Sequence, residues 1–182
     1  MILVERLEEI PPISGPIALA IGSFDGVHLG HQHLFQQLKK HGTAAVVTFS
    51  NHPAEVLQPH LAPPLIDTLD QKIRRLEMNG IDLALVLPFT PELSSYSYDT
   101  FLKHVHRHLP FTHLIRGEGS VLGHKAEGTQ ANIQALAKEL NFEAIFLPIF
   151  LFEGEPVSSK KIRELIKSGN FEQAFRLLGR SV

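Results

Sequence analysis

Two histidines in a glycine-rich loop are the residues of this sequence best placed to act on a phosphate. The loop reads Gly22-Ser23-Phe24-Asp25-Gly26-Val27-His28-Leu29-Gly30-His31 and follows an apolar run. Its glycines permit a tight turn and close approach of the backbone to a ligand. His28 and His31 stand three residues apart at the start of a predicted helix, so both rings can face one point. Imidazoles beside a helix N-terminus suit the stabilisation of phosphate oxygens as charge builds in a transition state.

The H-x-x-H spacing alone also fits two other interpretations. One ring could simply cap the helix. A histidine pair could also bind zinc, but no third ligand at a suitable spacing is evident, so we predict no protein-bound metal site. The chain contains no cysteine, which excludes disulfides, thiolate chemistry and Cys-bound zinc or iron–sulfur clusters.

The charge balance argues for small-molecule partners. Seventeen basic and 19 acidic residues give a net charge of −2, which does not favour binding of long nucleic acid by bulk electrostatics. The N-terminal residues lack the apolar core of a signal peptide, and no apolar run is long enough to span a bilayer. We therefore expect a cytoplasmic protein with neither nucleic acid nor membrane as a partner.

Apolar runs alternate with amphipathic segments along the whole chain. The five predicted strands are Ile17–Ile21, Ala44–Phe49, Leu83–Leu87, His113–Arg116 and Ala144–Leu147. The predicted helices between and after them are His31–Lys40, 68–79, Ser97–His108, 129–140, Lys161–Lys167 and 170–179. This alternation predicts an α/β fold with a Rossmann-like, doubly wound, parallel five-stranded sheet. Ligands bind such sheets beyond the carboxyl ends of the strands.

Three further groups of polar residues follow strands or begin helices. Asn51-His52-Pro53 lies in the proline-rich segment Ser50–Ile66 and, taken alone, is a turn that ends the preceding strand. A loop of that length is usually functional or mobile. Ser158 and Ser159 stand where a helix N-cap is expected, and capping alone would explain them. Arg163, one turn further on, is by itself best explained as part of a solvated helix face.

The longer patterns resemble one known family. The string G-x-F-D-G-V-H-x-G-H after a buried strand is similar to the H-x-G-H signature of the nucleotidyltransferase superfamily. The specific resemblance is to the adenylyltransferase (FAD synthetase) domain of bacterial bifunctional riboflavin kinase/FMN adenylyltransferases. Five further segments match that domain in the same order: Thr48–Leu57, Leu87–Ser94, the glycine loop 117–123, Val157–Arg163, and Leu177-Leu178-Gly179-Arg180.

The resemblance implies the reaction FMN + ATP → FAD + pyrophosphate, with Mg²⁺ accompanying ATP. It implies catalytic roles for His28, His31 and Arg163. The residues that it assigns to ATP are Gly22, Ser23, Phe24, Gly117, Ser158 and Ser159. The residues that it assigns to FMN are Asn51, His52 and Pro53.

The sequence departs from the family pattern at several positions. Gly119 and Ser120 replace an acid or amide and a phenylalanine, Lys160 replaces a threonine, and Asn51 replaces a proline. These changes leave open a degenerate domain that binds nucleotide or flavin without turnover. A related transferase with another phosphate acceptor is also open. The family normally continues into a riboflavin kinase domain, whereas residues 1–182 are expected to form the adenylyltransferase domain alone.

Overall fold

A parallel sheet of six strands forms the centre of the computed structural model, which describes residues 1–120 and 122–180. The strands are β1 (Ile2–Val4), β2 (Ile17–Ile21), β3 (Thr43–Phe49), β4 (Leu83–Leu87), β5 (His113–Gly117) and β6 (Glu143–Leu147). Their order across the sheet is β1-β4-β3-β2-β5-β6. The prediction of a doubly wound parallel α/β sheet is confirmed. Val121 of the glycine loop and the last two residues of the predicted domain lie outside the described residues.

The prediction of five strands was wrong by one, because β1 was missed. β1 has three residues and pairs with β4, with Ile2 opposite Leu83. Two of its residues are exposed, and charged residues follow at once. A strand that short shows no periodicity, and its partner lies about 80 residues away, so only the folded chain reveals it.

Eight α-helices and a small hairpin complete the described structure. The helices are α1 (Leu29–Leu38), α2 (Pro53–Leu57), α3 (Leu69–Met78), α4 (Pro91–Ser95), α5 (Tyr98–His108), α6 (Gln130–Leu140), α7 (Ser159–Lys167) and α8 (Phe171–Leu178). Short 3₁₀ turns cover Leu7–Glu9, Pro59–Leu61 and His124–Ala126. The hairpin pairs β7 (Leu151–Phe152) with β8 (Glu155–Pro156). The helix predicted over His31–Lys40 starts two residues earlier and ends at Leu38, because His28 caps it. The segment 50–66 contains α2, which its proline content concealed.

The two faces of the sheet bury alternate residues of the same strands. On β2, Ile17 and Leu19 pack on one side with α5 and α6, whereas Ala18 and Ala20 pack on the other with α1 and α3. All four are at most 1% exposed. This two-sided burial explains why the strand is apolar throughout.

The order of the strands places a switch point between β2 and β5. From β2 the chain moves to β3 and β4, and after β4 it crosses back to β5 and β6 on the other side of β2. The loops that leave the carboxyl ends of β2 and β5 therefore diverge, which opens a crevice between them. The loop Gly22–His28 and the end of β5 at Gly117 border this crevice.

None of the helices that the structure describes is long and apolar enough to cross a membrane.

Candidate active site

A cavity of about 640 Å³ lies at the switch point. Ten of the twelve residues singled out from the sequence line it: Gly22, Ser23, Phe24, His28, His31, His52, Pro53, Gly117, Ser158 and Ser159. Asn51 and Arg163 are not among its lining residues. Segments separated by more than a hundred residues of chain therefore meet around one space.

His28 caps α1 through its own ring. Its Nδ1 accepts a hydrogen bond from the backbone N–H of His31, at 3.3 Å. A neutral imidazole that accepts at Nδ1 carries its proton on Nε2. His28 can therefore cap the helix and also bind a phosphate oxygen, because capping through Nδ1 leaves Nε2–H as a donor.

His31 stacks on His28, with ring centroids 3.7 Å apart and planes inclined by 15°. The ring of Phe24 meets His31 edge-on at 5.2 Å. The Nδ1 atom of His31 is buried and has no hydrogen-bond partner among the described residues. The ring of His31 lines the cavity, and a buried polar atom without a partner is rare in folded proteins.

Burial keeps both histidines neutral. It lowers the pKa of His28 from its ordinary value of 6.5 to about 4. It lowers the pKa of His31 well below 6.5, and the neighbouring His28 adds to that effect. At neutral pH the pair therefore presents uncharged N–H donors. Negative charge that arrives or builds up beside them would raise both pKa values.

The loop before α1 is held in a conformation that most residues avoid. Phe24 and Val27 have positive φ angles of 48° and 39°, and their side chains are buried against the sheet. The carbonyl of Ser23 accepts hydrogen bonds from Lys72 Nζ at 3.2 Å and Thr48 Oγ1 at 3.1 Å. Strained backbone of this kind persists where its surroundings over-determine it, and it is frequent at active sites.

Arg163 forms an ion pair with Asp25 and is not among the residues that line the cavity. Its Nη2 is 2.5 Å from Asp25 Oδ2, and its Nε donates to the carbonyl of Pro64 at 2.8 Å. Asp25 is buried and also accepts from the backbone N–H groups of Ile66 and Asp67. The pair thus ties the histidine loop to α7 and to the segment before α3. The catalytic role inferred for Arg163 stays a prediction.

Ser158 and Ser159 combine capping with a place on the wall. Ser158 caps α7 by accepting from the N–H of Lys161 at 3.2 Å. Ser159 Oγ donates to the carbonyl of Asp25 at 2.9 Å. Both hydroxyls are thereby engaged, but the first N–H groups of a helix have no partner within it. The start of α7 can consequently offer backbone donors to an anion.

The segment predicted for the flavin divides between two structural roles. Asn51 bridges β3 and β4, since its amide bonds to both the N–H and the carbonyl of Phe89, at 2.8 and 3.0 Å. His52 caps α2 through Nδ1, while its ring lines the cavity with Pro53. Burial and the adjacent Arg163 lower the pKa of His52.

Sequence reasoning missed Arg116 and the aromatic part of the wall. Arg116 is buried near the end of β5 and lines the cavity. Phe49 and Phe89 pack edge-on at 5.0 Å on the side of His52 and also line it. An arginine directly after the apolar pair Leu114-Ile115 of a predicted strand was the signal that could have identified the first of these.

A family model described as FAD synthetase matches residues 10–161. The matched range includes the histidine loop and the start of α7, and it covers well over half of the chain. The chain belongs to the FAD synthetase family. Arg163 lies just beyond the matched range.

Relatives named bifunctional riboflavin kinase/FMN adenylyltransferase align over most of the chain. The relative from Buchnera aphidicola subsp. Schizaphis graminum is 30% identical, over 99% of this chain and 60% of its own length. The relative from Listeria monocytogenes is 32% identical, over 88% of this chain and 53% of its own length. The chain thus spans about 60% or less of these FAD synthetase relatives.

Solved structures agree on the fold. A crystal structure from Streptococcus pneumoniae, described as a macrolide-efflux protein, superposes with a TM-score of 0.86 at 25% identity. The superposition covers 98% of this chain and 60% of the Streptococcus pneumoniae chain. A pantoate-beta-alanine ligase from Francisella tularensis superposes with a TM-score of 0.63 at 17% identity, over 98% of this chain and 85% of its own. The second similarity shows only the shared fold.

The lowered pKa of His28 predicts a specific loss of stability in acid. The unfolded chain binds a proton near pH 6.5, whereas the folded protein binds it only near pH 4. The contribution of His28 to the free energy of unfolding is therefore fully present above pH 6.5 and is lost as the pH falls towards 4. For this difference between the two pKa values the loss is about 3 kcal/mol.

His28→Asn is the matched variant for this prediction, because an asparagine side chain can still cap α1. Urea unfolding at pH 7 and pH 4 should show that the wild type loses about 3 kcal/mol more than the variant over this interval. Equal losses in the two proteins would show that His28 is not held neutral by the fold.

Proposed function

We propose that this chain is an FMN adenylyltransferase, which transfers AMP from ATP to FMN and yields FAD and pyrophosphate. The observation that carries the proposal is the stacked, neutral histidine pair at the N-terminus of α1, in the wall of the switch-point cavity. Membership of the FAD synthetase family supports the choice of substrates. The domain proposed for this activity is the whole chain, residues 1–182.

The chemistry asks the protein for alignment and charge stabilisation. A phosphate oxygen of FMN attacks the α-phosphorus of ATP, a new P–O–P link forms, and the bond to the departing pyrophosphate breaks. The FMN phosphate is ionised near neutral pH, so it needs no general base. What remains is to hold two anions in line and to stabilise the charge that develops on the transferring group.

The histidine pair can supply that stabilisation. His28 can donate from Nε2–H, and the ring of His31 lines the same cavity. Their N–H donors are fixed by stacking and capping before a substrate arrives, so little reorganisation is needed during the reaction. In this proposal both bind oxygens of the transferring phosphoryl group.

The other predicted residues divide between the two substrates. We assign the triphosphate to the start of α7, where Ser158 and Ser159 leave backbone N–H groups free. Gly22, Ser23, Phe24 and Gly117 would line the nucleotide. His52 and Pro53 would lie on the flavin side, where Phe49 and Phe89 offer apolar surface for a ring system. Asn51 would contribute by fixing the position of this segment.

Mg²⁺ fits this site as a companion of ATP rather than as a resident ion. The described residues contain no group of three or more side chains that could hold a metal. Asp25 is committed to Arg163 and to backbone N–H groups, and Glu118 is the carboxylate at the cavity among the residues described. Mg²⁺ often keeps several waters and binds mainly to substrate phosphates. When bound, it would neutralise part of the triphosphate charge, and Glu118 in the cavity lining is a carboxylate that could contribute to holding it.

The partners that we propose are ATP and FMN, without nucleic acid or membrane. The names of the relatives join this activity to a riboflavin kinase activity, and the chain matches about 60% of their length. We propose that it corresponds to their adenylyltransferase part. Because the substrates include ATP, we also propose that it acts in the cytoplasm.

Incubation of the purified chain with FMN, ATP and Mg²⁺ tests this function. We expect FAD, resolved by chromatography, and pyrophosphate to appear in equal amounts. Riboflavin in place of FMN is the control, since it lacks the attacking phosphate and should give neither product. FMN binding without FAD would favour the degenerate domain, which Gly119 and Ser120 in the glycine loop left open. Pyrophosphate release only with another phosphate compound would indicate a different acceptor.

A further inference from the structure

A buried arginine without a carboxylate partner lies in the cavity wall. Arg116 is 5% exposed. Its Nη1 donates to the carbonyl of Gly128 at 3.1 Å, and its Nη2 donates to the carbonyl of Ser120 at 2.8 Å. Within residues 1–120 and 122–180, no aspartate or glutamate forms a salt bridge with it. By contrast, Arg163 pairs with Asp25, and Arg180 pairs with Asp67.

Burial of a positive charge without a negative partner is unfavourable. The desolvation of Arg116 lowers its pKa to about 10, so it still carries its charge at neutral pH. Buried charges in proteins are ordinarily paired. A negatively charged ligand in the cavity would supply the missing partner.

Arg116 also differs from every other lining residue in its charge. Among the described residues that line the cavity, Arg116 is the one lysine or arginine and Glu118 is the one aspartate or glutamate. Arg163 is not among the lining residues, and its guanidinium pairs with Asp25. Arg116 is therefore the one permanent cation on the described part of the wall.

The surroundings of the guanidinium favour an anion further. A smaller recess, of about 230 Å³, shares Arg116 and the loop residues 117–120 with the main cavity. It is also lined by Thr129 and Gln130, at the start of α6. The N-terminus of an 11-residue helix carries partial positive charge, which adds to that of the arginine.

We propose that Arg116 binds a phosphate group of one of the two substrates at the carboxyl end of β5. This inference rests on the proposed function and adds a binding residue to it. A guanidinium has five N–H donors in a rigid plane. The carbonyls of Ser120 and Gly128 engage two of its nitrogens and fix the plane, which leaves N–H donors of this lining residue for a ligand.

Arg116→Gln tests the proposal, with Arg74→Gln as its control. Arg74 is exposed on α3 and does not line the cavity, so its replacement changes the net charge equally. Calorimetric titration with ATP, adenosine, FMN and riboflavin, each added alone, measures affinity without turnover. We expect Arg116→Gln to weaken binding of one phosphate compound by roughly 10- to 100-fold, the usual effect of a charge-assisted hydrogen bond. Binding of its phosphate-free parent should stay unchanged.

The two arms of the experiment identify the source of the phosphate. Loss for ATP but not adenosine assigns Arg116 to the triphosphate, and loss for FMN but not riboflavin assigns it to the flavin phosphate. Unchanged binding of both nucleotides would overturn the inference. So would equal losses for a nucleotide and its parent, which indicate a structural effect, or a wild type that binds neither nucleotide.

Two features keep this test independent of other failures. If Arg116→Gln does not fold, Arg116→Lys keeps the charge but loses the planar fork, and it should weaken binding of the same nucleotide several-fold. Unchanged binding in that variant would count against the proposal. A wild type that makes no FAD would contradict the proposed function, whereas a phosphate-specific loss on replacing Arg116 would still uphold this inference.

Discussion

His28→Asn is expected to lower the rate of FAD formation roughly 100-fold, the usual effect of removing a preorganised donor to a developing oxyanion. The substitution takes away the Nε2–H donor. It keeps a side-chain oxygen that can accept from the N–H of His31, so α1 stays capped. The loss should therefore appear in kcat, with the melting temperature near that of the wild type at pH 7.

His28→Ala separates the two roles of this histidine. Alanine removes both the donor and the cap, and a lost cap costs about 1 kcal/mol. We expect His28→Ala to match His28→Asn in turnover but to be less stable by that amount. His31→Ala should lose turnover by a similar factor, because it removes the other ring of the stack.

His104→Asn serves as the control for both variants. His104 lies exposed on α5 and does not line the cavity. The His104→Asn variant should therefore turn over at the wild-type rate. Steady-state rates measured by FAD chromatography, together with thermal unfolding, provide the comparison. A wild-type rate in either His28→Asn or His31→Ala would contradict the mechanism.

Asp25→Asn is expected to cause the largest loss of stability, about 3 kcal/mol or more. The side chains of Asp25 and Arg163 are 5% and 15% exposed. Removal of the carboxylate charge leaves the guanidinium buried without compensation and weakens the link between the histidine loop and α7. For a chain of this size, a loss of about 3 kcal/mol lowers Tm by roughly 6 to 12 °C. Turnover should fall as well, because His28 and Ser159 are both positioned through this loop.

The double variant Asp25→Asn/Arg163→Met distinguishes positioning from direct action. Replacing both members of a buried ion pair costs less than leaving one unpaired. We expect the double variant to regain most of the lost stability but not the turnover, because the family resemblance also predicts a catalytic role for Arg163. Recovery of turnover together with stability would show that Arg163 acts only by positioning the loop. Denaturant unfolding and kcat are measured for the wild type, Asp25→Asn, Arg163→Met and the double variant, which together form a double-mutant cycle.

The sequence by itself determined the α/β class with a parallel sheet, and it singled out the histidine loop as the candidate site. The apolar strands are continuous because both faces of the sheet are covered, so their pattern could be recognised locally. The histidine loop was recognisable because its glycines and histidines lie within ten consecutive residues. The start of α7 and that of the helix predicted over 68–79 were recognisable for the same reason, because each has its N-cap residue within the local sequence.

Only the tertiary structure decided which of those residues face the cavity. Asn51 was predicted to lie on the flavin side, but its amide bridges two strands whose neighbourhood no local pattern shows. Arg163 lies one turn into α7, yet its orientation depends on Asp25, 138 residues earlier in the chain. The position of Arg116 in the cavity wall could not be predicted, because the carbonyls of Ser120 and Gly128 that hold its guanidinium contact it only in the folded chain. Long-range pairs such as β1 with β4 and Arg163 with Asp25 form because chain folding brings distant segments together. The spacing of residues along the sequence does not indicate which distant segments will meet.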